Sequence, residues 1–360
     1  MIDPVANRPR YAEYDAQRDI AEKEFPALCY APFVSVFFRA DGNVRACCHN
    51  WSRPLGNILN TSFDELWNGA RAIMLRESLM AYEFPAGCER CKWQTQEGLF
   101  GNTTMRNFDR FTLDGVTPRS PRQMEFSIGV TCNLECVMCN GTHSSAIRAQ
   151  REKLPPLKCL YTDEILHSLR KHFPYLHWMK FLGGEPFLIE EHYHIWRMLV
   201  EDGLSTPCHV TTNGTVYNSR VENVLDELPF SFSVSMDGAT RSTVESIRVN
   251  SSYDTIMHNI HTFLLYTRER GTSLSLTFCL MRQNWHEFGE YCLFADELDC
   301  HVGVNTVTDP PQFGVYTLPK EDLRVIARAL ERQAVALDSQ LKRNHAVFFN
   351  ELARLQAKSA

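Results

Sequence analysis

From Gln123 onward the apolar positions fall into two alternating patterns. Short runs rich in β-branched and aromatic residues read as strands at Met124–Val130, Trp178–Leu182, Cys208–Thr212, Phe230–Met236, Ser273–Met281 and His301–Val307. Between them lie longer stretches with helical apolar spacing, near Ser144–Glu152, Glu191–Glu201, Ser219–Glu227, Tyr253–Arg270 and Trp285–Leu298. Strands that alternate with helices in this way predict an α/β fold on a parallel sheet. Two of the strands alternate strictly. Ser231, Ser233, Ser235 and Asp237 share one face, and in the next strand Ser273, Ser275, Thr277 and Cys279 do the same against Leu274, Leu276, Phe278 and Leu280. A parallel strand buried on both faces reads as a continuous hydrophobic run. A polar face therefore predicts either a lumen open enough to admit ligands or a sheet with one wet side.

The stretch before Gln123 has a different texture. Residues 1–24 are rich in charge, lack an apolar period and read as an arm or a short exposed helix. Next, Val34–Arg39, the turn Asp41-Gly42-Asn43 and Val44–Cys48 form a hairpin with thiols at both ends. Ser62 with Glu65 three residues on is a capping-box start for a helix that runs to about Tyr82. Lys92–Pro121 holds Gly98, Gly101, Gly115, Pro118 and Pro121 without sustained periodicity, as a linker would. At the other end, Glu321–Gln356 carries apolar residues at helical spacing. The chain thus divides into an arm (1–24), a cysteine-rich module (25–118), the α/β unit (119–318) and a helical extension (319–360).

Composition narrows the class. Of the 360 residues, 44% are hydrophobic and 22% charged, which suits a globular protein that buries a core unaided. A net charge of −6 argues against a broad nucleic-acid-binding face, which needs a basic surface. No window approaches the ~18 consecutive apolar residues of a membrane span, and Met1–Arg18 lacks a signal-peptide core, so a cytoplasmic protein is expected. Thirteen cysteines in a long chain of this kind point to metal binding instead of disulfides.

Three of those thiols, Cys132, Cys136 and Cys139, sit on one short loop directly after the first α/β strand. A zinc knuckle would close a tetrahedral site with four ligands. Three thiolates can instead hold three irons of a [4Fe–4S] cube and leave the fourth iron open to a ligand. Four more, Cys29, Cys47, Cys88 and Cys91, surround the hairpin and its helix, in a number that closes either a zinc site or a full cube. Cys47 and Cys48 cannot both face one site from an extended strand, so the spare Cys48 is either a substitute ligand or a buried core residue. His192, His194, His209 and His301 have no sequence neighbours that complete a metal site.

The Cys132-x3-Cys136-x2-Cys139 loop resembles the signature of the radical S-adenosylmethionine (radical SAM) superfamily. That resemblance implies a partial (β/α)6 barrel in which the open iron chelates SAM. Met138 stands where many members carry an aromatic residue against the adenine. Gly183-Gly184-Glu185-Pro186, at a strand end where parallel barrels build their sites, is similar to the motif that holds the SAM ammonium. Asn213, Ser235 and Asp237 resemble positions beside the ribose and carboxylate, with Arg248 a further candidate for the carboxylate. The hairpin module, with Cys29-x-x-Pro32, Asp41-Gly42, Cys47, Leu55-Gly56-Asn57, Leu66-Trp67-Asn68 and Cys88-x2-Cys91, resembles the SPASM or twitch module, which carries an auxiliary [4Fe–4S] cluster. Cys47 keeps that module's offset from Gly42. The module commonly follows the radical SAM domain, whereas here it precedes it. Taken together, the resemblance implies an oxidoreductase or maturase acting on a peptide or protein side chain, served by an electron donor such as flavodoxin or ferredoxin. Sugar or aminocyclitol oxidation or epimerisation is the second reading, and a non-enzymatic Fe–S or zinc scaffold the third. Cys279, on the polar face, is a candidate hydrogen-atom donor.

Overall fold

The computed structural model describes residues 7–20 and 22–359. They form two compact units, one from the described residues up to Gly129 with Lys158–Gly183 and Glu190–Cys208, the other from Val130–Leu157, Gly184–Ile189 and the described residues from His209 on.

In the first unit, β1 (Ser35–Arg39), β2 (Asn43–Arg45), β3 (Gly56–Asn57), β4 (Gln123–Ser127) and β5 (Trp178–Phe181) lie in the order β3-β2-β1-β4-β5. The expected hairpin is present, with Phe37 opposite Arg45 in antiparallel register. Its β1 strand also pairs in parallel with β4, from Ser35 against Gln123 to Arg39 against Ser127. Phe38, Phe126 and Phe181 stack across β1, β4 and β5 at 5.1 and 5.5 Å, so one aromatic seam runs from the module into the strands of the α/β pattern. The helix after Ser62 forms with both capping-box bonds but breaks at Gly69 into Phe63–Asn68 and Ala70–Met80.

Three segments of this unit differ from the sequence reading. The charged arm is not a free arm, because Tyr14 is fully buried and Arg18 is clamped by Asp109 at 2.7 and 2.9 Å. The expected linker carries the helix Glu89–Gln96 and a 3-10 turn at Thr104–Phe108, and it buries Met105, Phe108 and Phe111. Lacking a steady period, its apolar residues gave no sign of burial. A helix at Asp163–Arg170, capped by Thr162, was also missed.

The second unit holds β6 (Cys208–Thr212, all but its first residue), β7 (Phe230–Ser235), β8 (Leu274–Leu280) and β9 (His301–Thr306), in the order β6-β7-β8-β9. The β7–β8 and β8–β9 pairs are parallel, as β4–β5 is in the first unit. All six strands expected after Gln123 are therefore present. Strand parity holds as well. On one face Phe232 stacks on Phe263 of the helix Tyr253–Arg270 at 4.4 Å. On the other, His209, Ser233 and Ser275 form a hydrogen-bonded chain of 3.0 and 2.8 Å. The C-terminal extension forms helices at Lys320–Leu337 and His345–Ser359, and it adds to the core: Phe348 stacks on Phe288 and Asn344 accepts a bond from the Val302 amide at the edge strand.

Candidate cluster and cofactor sites

The three-thiol loop is held by its own backbone. Glu135 and Val137 donate their amides to the carbonyls of Val249 and Ile247 at 3.0 and 2.9 Å. Ser144, the N-cap of the helix Ser145–Gln150, donates its hydroxyl to Leu134 O, and Ser145 exchanges bonds with both backbone groups of Cys132. From the end of that helix the Arg151 guanidinium reaches back to the carbonyls of Glu135, Cys136 and Cys139 at 3.1, 3.3 and 2.9 Å. These bonds occupy the main chain and leave the sulfurs free. The thiols of Cys132, Cys136 and Cys139 are close enough to act on one another electrostatically, and burial pushes Cys136 up to about 11. A bare buried thiol keeps its proton, whose place a metal takes.

Around the loop stand the strand ends. Gly184 lets the chain pass against the loop, since a Cβ there would lie 2.3 Å from Thr131 O, where the Glu185 amide donates at 2.7 Å. Glu185 is fully buried. Its Oε1 accepts from the Thr212 hydroxyl at 2.8 Å and the Phe187 amide at 3.2 Å, and its Oε2 accepts from the Asn213 amide at 2.7 Å. Three of about four carboxylate acceptor positions are thus used, and one remains on Oε2. Burial pushes its pKa up to about 7 against the pull of those donors. Asn213 donates to Asn133 at 3.0 Å and toward Cys132 Sγ at 3.9 Å.

Past β7, Asp237 adopts a positive φ of 66°, and its buried carboxylate binds Arg248 at 2.6 Å and the Cys279 amide at 2.6 Å. Arg248 in turn directs Nη1 at Cys136 Sγ, 3.8 Å away. Met138 and Cys279 pack on one apolar cluster of Ile247, Met281 and Val307. Ser235 ends β7 half-buried, and Gly183 has a φ of 129°. Eight of the expected residues, Met138, Gly184, Glu185, Asn213, Ser235, Asp237, Arg248 and Cys279, thus lie on or beside strand ends or the cluster loop of this unit, and Gly183 follows β5 in the first unit.

The first unit contains a second site. A cavity of about 410 Å³, including its open mouth, is lined by Cys29, Cys47, Cys88 and Cys91, with Asn50 among the other walls. Cys48 is not part of that lining; its charged neighbours are Glu125, Lys180 and Arg90. Burial raises all four lining thiols, Cys88 to about 11 and Cys91 to about 12. Among the described residues no three His, Cys, Asp or Glu side chains are gathered around one point as a single ion requires. Of the four histidines set aside above, His192 packs between Phe181 and Trp196, His194 binds Asp163, and His209 belongs to the serine chain.

Comparison with known families matches the radical SAM superfamily over residues 126–295, the segment with the three-thiol loop and the strand ends around it. Residues 126–295 thus match a radical SAM domain. A SPASM iron–sulfur cluster-binding domain matches residues 29–92, so the SPASM region precedes the radical SAM match. Its cofactors are accordingly [4Fe–4S] clusters and SAM. A comparison with curated proteins returns no match. Among solved structures, native anSMEcpe with bound AdoMet is similar at 16% identity over 61% of this chain and 63% of that one, with a TM-score of 0.45. SuiB of Streptococcus suis bound to the precursor peptide SuiA is similar at 13% identity, over 74% and 64%, with a TM-score of 0.45. A radical SAM methyltransferase from Sphaerobacter thermophilus is similar at 16% identity, over 58% and 62%, with a TM-score of 0.38. The chain spans about 63% of the length of the first of these.

Its donor sets fit the cofactors: three thiols on one loop suit a cube with an open iron, and four around a cavity suit a closed one. Sequence reasoning missed Arg151, Ser144 and Ser145, which hold the loop, and the bond by which Thr212 holds Glu185. Ser144 carried a signal as an N-cap directly after the loop, whereas the reach of Arg151 back across the loop had none.

Proposed function

We propose that this chain reductively cleaves SAM and uses the product to abstract a hydrogen atom from a peptide or protein side chain. When bound, the reduced cluster and SAM supply the 5′-deoxyadenosyl radical, which is chemistry that belongs to the cofactor. The rest is placement by the protein. Cys132, Cys136 and Cys139 hold three irons. Glu185 offers its remaining Oε2 position to the SAM ammonium, and Asn213 orients the cluster loop beside it. Asp237 fixes Arg248, whose buried Nε has no partner and is the donor left for the SAM carboxylate. Ser235 and Met138 are assigned to the ribose and adenine sides. The observation that carries this reading is the meeting of Glu185, Asn213 and Arg248 with the three-thiol loop.

A peptide substrate is favoured because the SPASM region with its four-thiol cavity is the kind of auxiliary-cluster module that peptide-modifying members carry, an argument by analogy of fold. A low-potential donor such as flavodoxin or ferredoxin and a cytoplasmic setting complete the reading; no helix of the described residues is long and apolar enough to cross a membrane. The test is anaerobic incubation with SAM, dithionite and candidate peptides. Formation of 5′-deoxyadenosine with a peptide mass change supports the proposal. If the Cys132→Ala, Cys136→Ala, Cys139→Ala protein still makes 5′-deoxyadenosine, the proposal fails.

A further inference from the structure

Two buried polar side chains of the SPASM region have donors without partners. Asn50 is 1% exposed, and neither Nδ2 nor Oδ1 has a partner at ordinary hydrogen-bond distance; the group its side chain acts on is the Cys88 thiol. Arg45 is 5% exposed, and its Nε and Nη1 are likewise unpartnered. Unmet buried donors are rare in folded proteins and call for a reason. Their positions supply one. Asn50 lines the same cavity as the four thiols and acts on Cys88, and Arg45 counts Cys47 and Cys48 among its electrostatic neighbours.

The surroundings keep both side chains in place. Arg45 ends β2 and lies against the half-exposed Trp51 ring, 4.2 Å from its centroid. Asp41, the carboxylate of the same hairpin, pairs with Arg39 at 3.3 Å. The Asn50 backbone amide donates to Cys47 O at 3.3 Å. Gly87, at φ 98°, makes room for the amide, because a Cβ there would lie 2.5 Å from Nδ2. The carboxylate that acts on Cys88 is Glu89, which is exposed and accepts from the Gly87 amide.

We propose that Arg45 and Asn50 are positioning residues that raise the reduction potential of the cluster held by Cys29, Cys47, Cys88 and Cys91, and so set it as an electron acceptor. This rests on the reading of that cavity as a [4Fe–4S] site. A cluster with four thiolates is already anionic, and uptake of one electron adds further negative charge. A buried cation outside the cavity lining but within electrostatic reach of Cys47, and an amide in the cavity wall, favour the reduced form, since net charge and hydrogen bonds to sulfur set such potentials. The two side chains then find in the bound cluster the acceptors that the protein alone does not offer them.

The experiment uses the full-length Cys132→Ala, Cys136→Ala, Cys139→Ala protein, reconstituted anaerobically, so that only the auxiliary cluster is observed. Its midpoint potential is read by EPR-monitored redox titration, with iron content measured on the same samples. Arg45→Met is expected to lower the reduction equilibrium constant at least tenfold, which is about 59 mV for one electron. Asn50→Leu should shift it the same way by a smaller factor, and Arg45→Lys should retain most of the parent value. Unchanged midpoints at full iron content overturn the inference and leave the cluster assignment standing. Should Arg45→Met fail to take up iron, Asn50→Leu decides: a lowered midpoint supports the inference, and a parent value overturns it. Zinc in place of iron at the four thiols overturns the inference and the cluster assignment together.

Discussion

At the scale of single residues, burial decides what the polar groups of the SAM site can do. Glu185 is protonated in both folded and unfolded chains below its ordinary value of 4.5. As pH rises from there to about 7, the unfolded chain releases a proton that the folded one retains. Stability of the metal-free, SAM-free protein therefore falls across that window, by about 3 kcal/mol, and the fall is absent in Glu185→Gln. Chemical denaturation at pH 4.5, 6 and 7.5 checks both slopes. Loss of Glu185 also removes a bond from each of three loop groups, so it weakens the fold as well as SAM binding. Arg248→Met leaves Asp237 charged and unpaired in the interior, at a cost of about 3–5 kcal/mol read from the denaturation midpoint. Burial and the nearby Asp237 carboxylate raise the Cys279 thiol well above its usual range, which keeps it an S–H group at neutral pH. If Cys279 returns a hydrogen atom to substrate, Cys279→Ala still cleaves SAM but loses deuterium incorporation from solvent. Retention of that label returns Cys279 to a packing role.

At the scale of elements, the cluster loop depends on the short helix that follows it. Arg151 makes three charge-assisted bonds to loop carbonyls, and Arg151→Ala leaves those groups to water. In a Cys88→Ala, Cys91→Ala background, this variant is expected to release iron to a chelator several-fold faster than its parent; equal rates would mean that the Ser144 and Ser145 bonds suffice. The Ser62 capping box is a plainer case. Ser62→Ala should cost about 1 kcal/mol, because it removes an exposed cap without disturbing the core. The helix it opens was legible in sequence, but its break at Gly69 was not, since the apolar spacing runs on past the glycine.

For the whole molecule, two [4Fe–4S] sites predict about eight irons per chain after anaerobic reconstitution. Cys88→Ala with Cys91→Ala should halve that number and leave the SAM cluster in place, as iron analysis and EPR will show. Either unit's strands could be read in advance, because period-two alternation and the Ser231–Asp237 face are local properties of the chain. The thiol spacing on the cluster loop was legible for the same reason. Local pattern could not show that β1 joins β4 in parallel, because pairing between segments 88 residues apart leaves no period in either. Nor could it show that the linker is core or that Glu185 is committed to Thr212 and Asn213. The sequence by itself determined which residues carry the chemistry and which face of each strand they share. Tertiary structure added that Cys47, which its offset from Gly42 already favoured, lines the four-thiol cavity while Cys48 does not, and it alone decided that Asn50 is buried in the cavity wall and Arg45 buried near Cys47, because burial and convergence depend on contacts between distant segments.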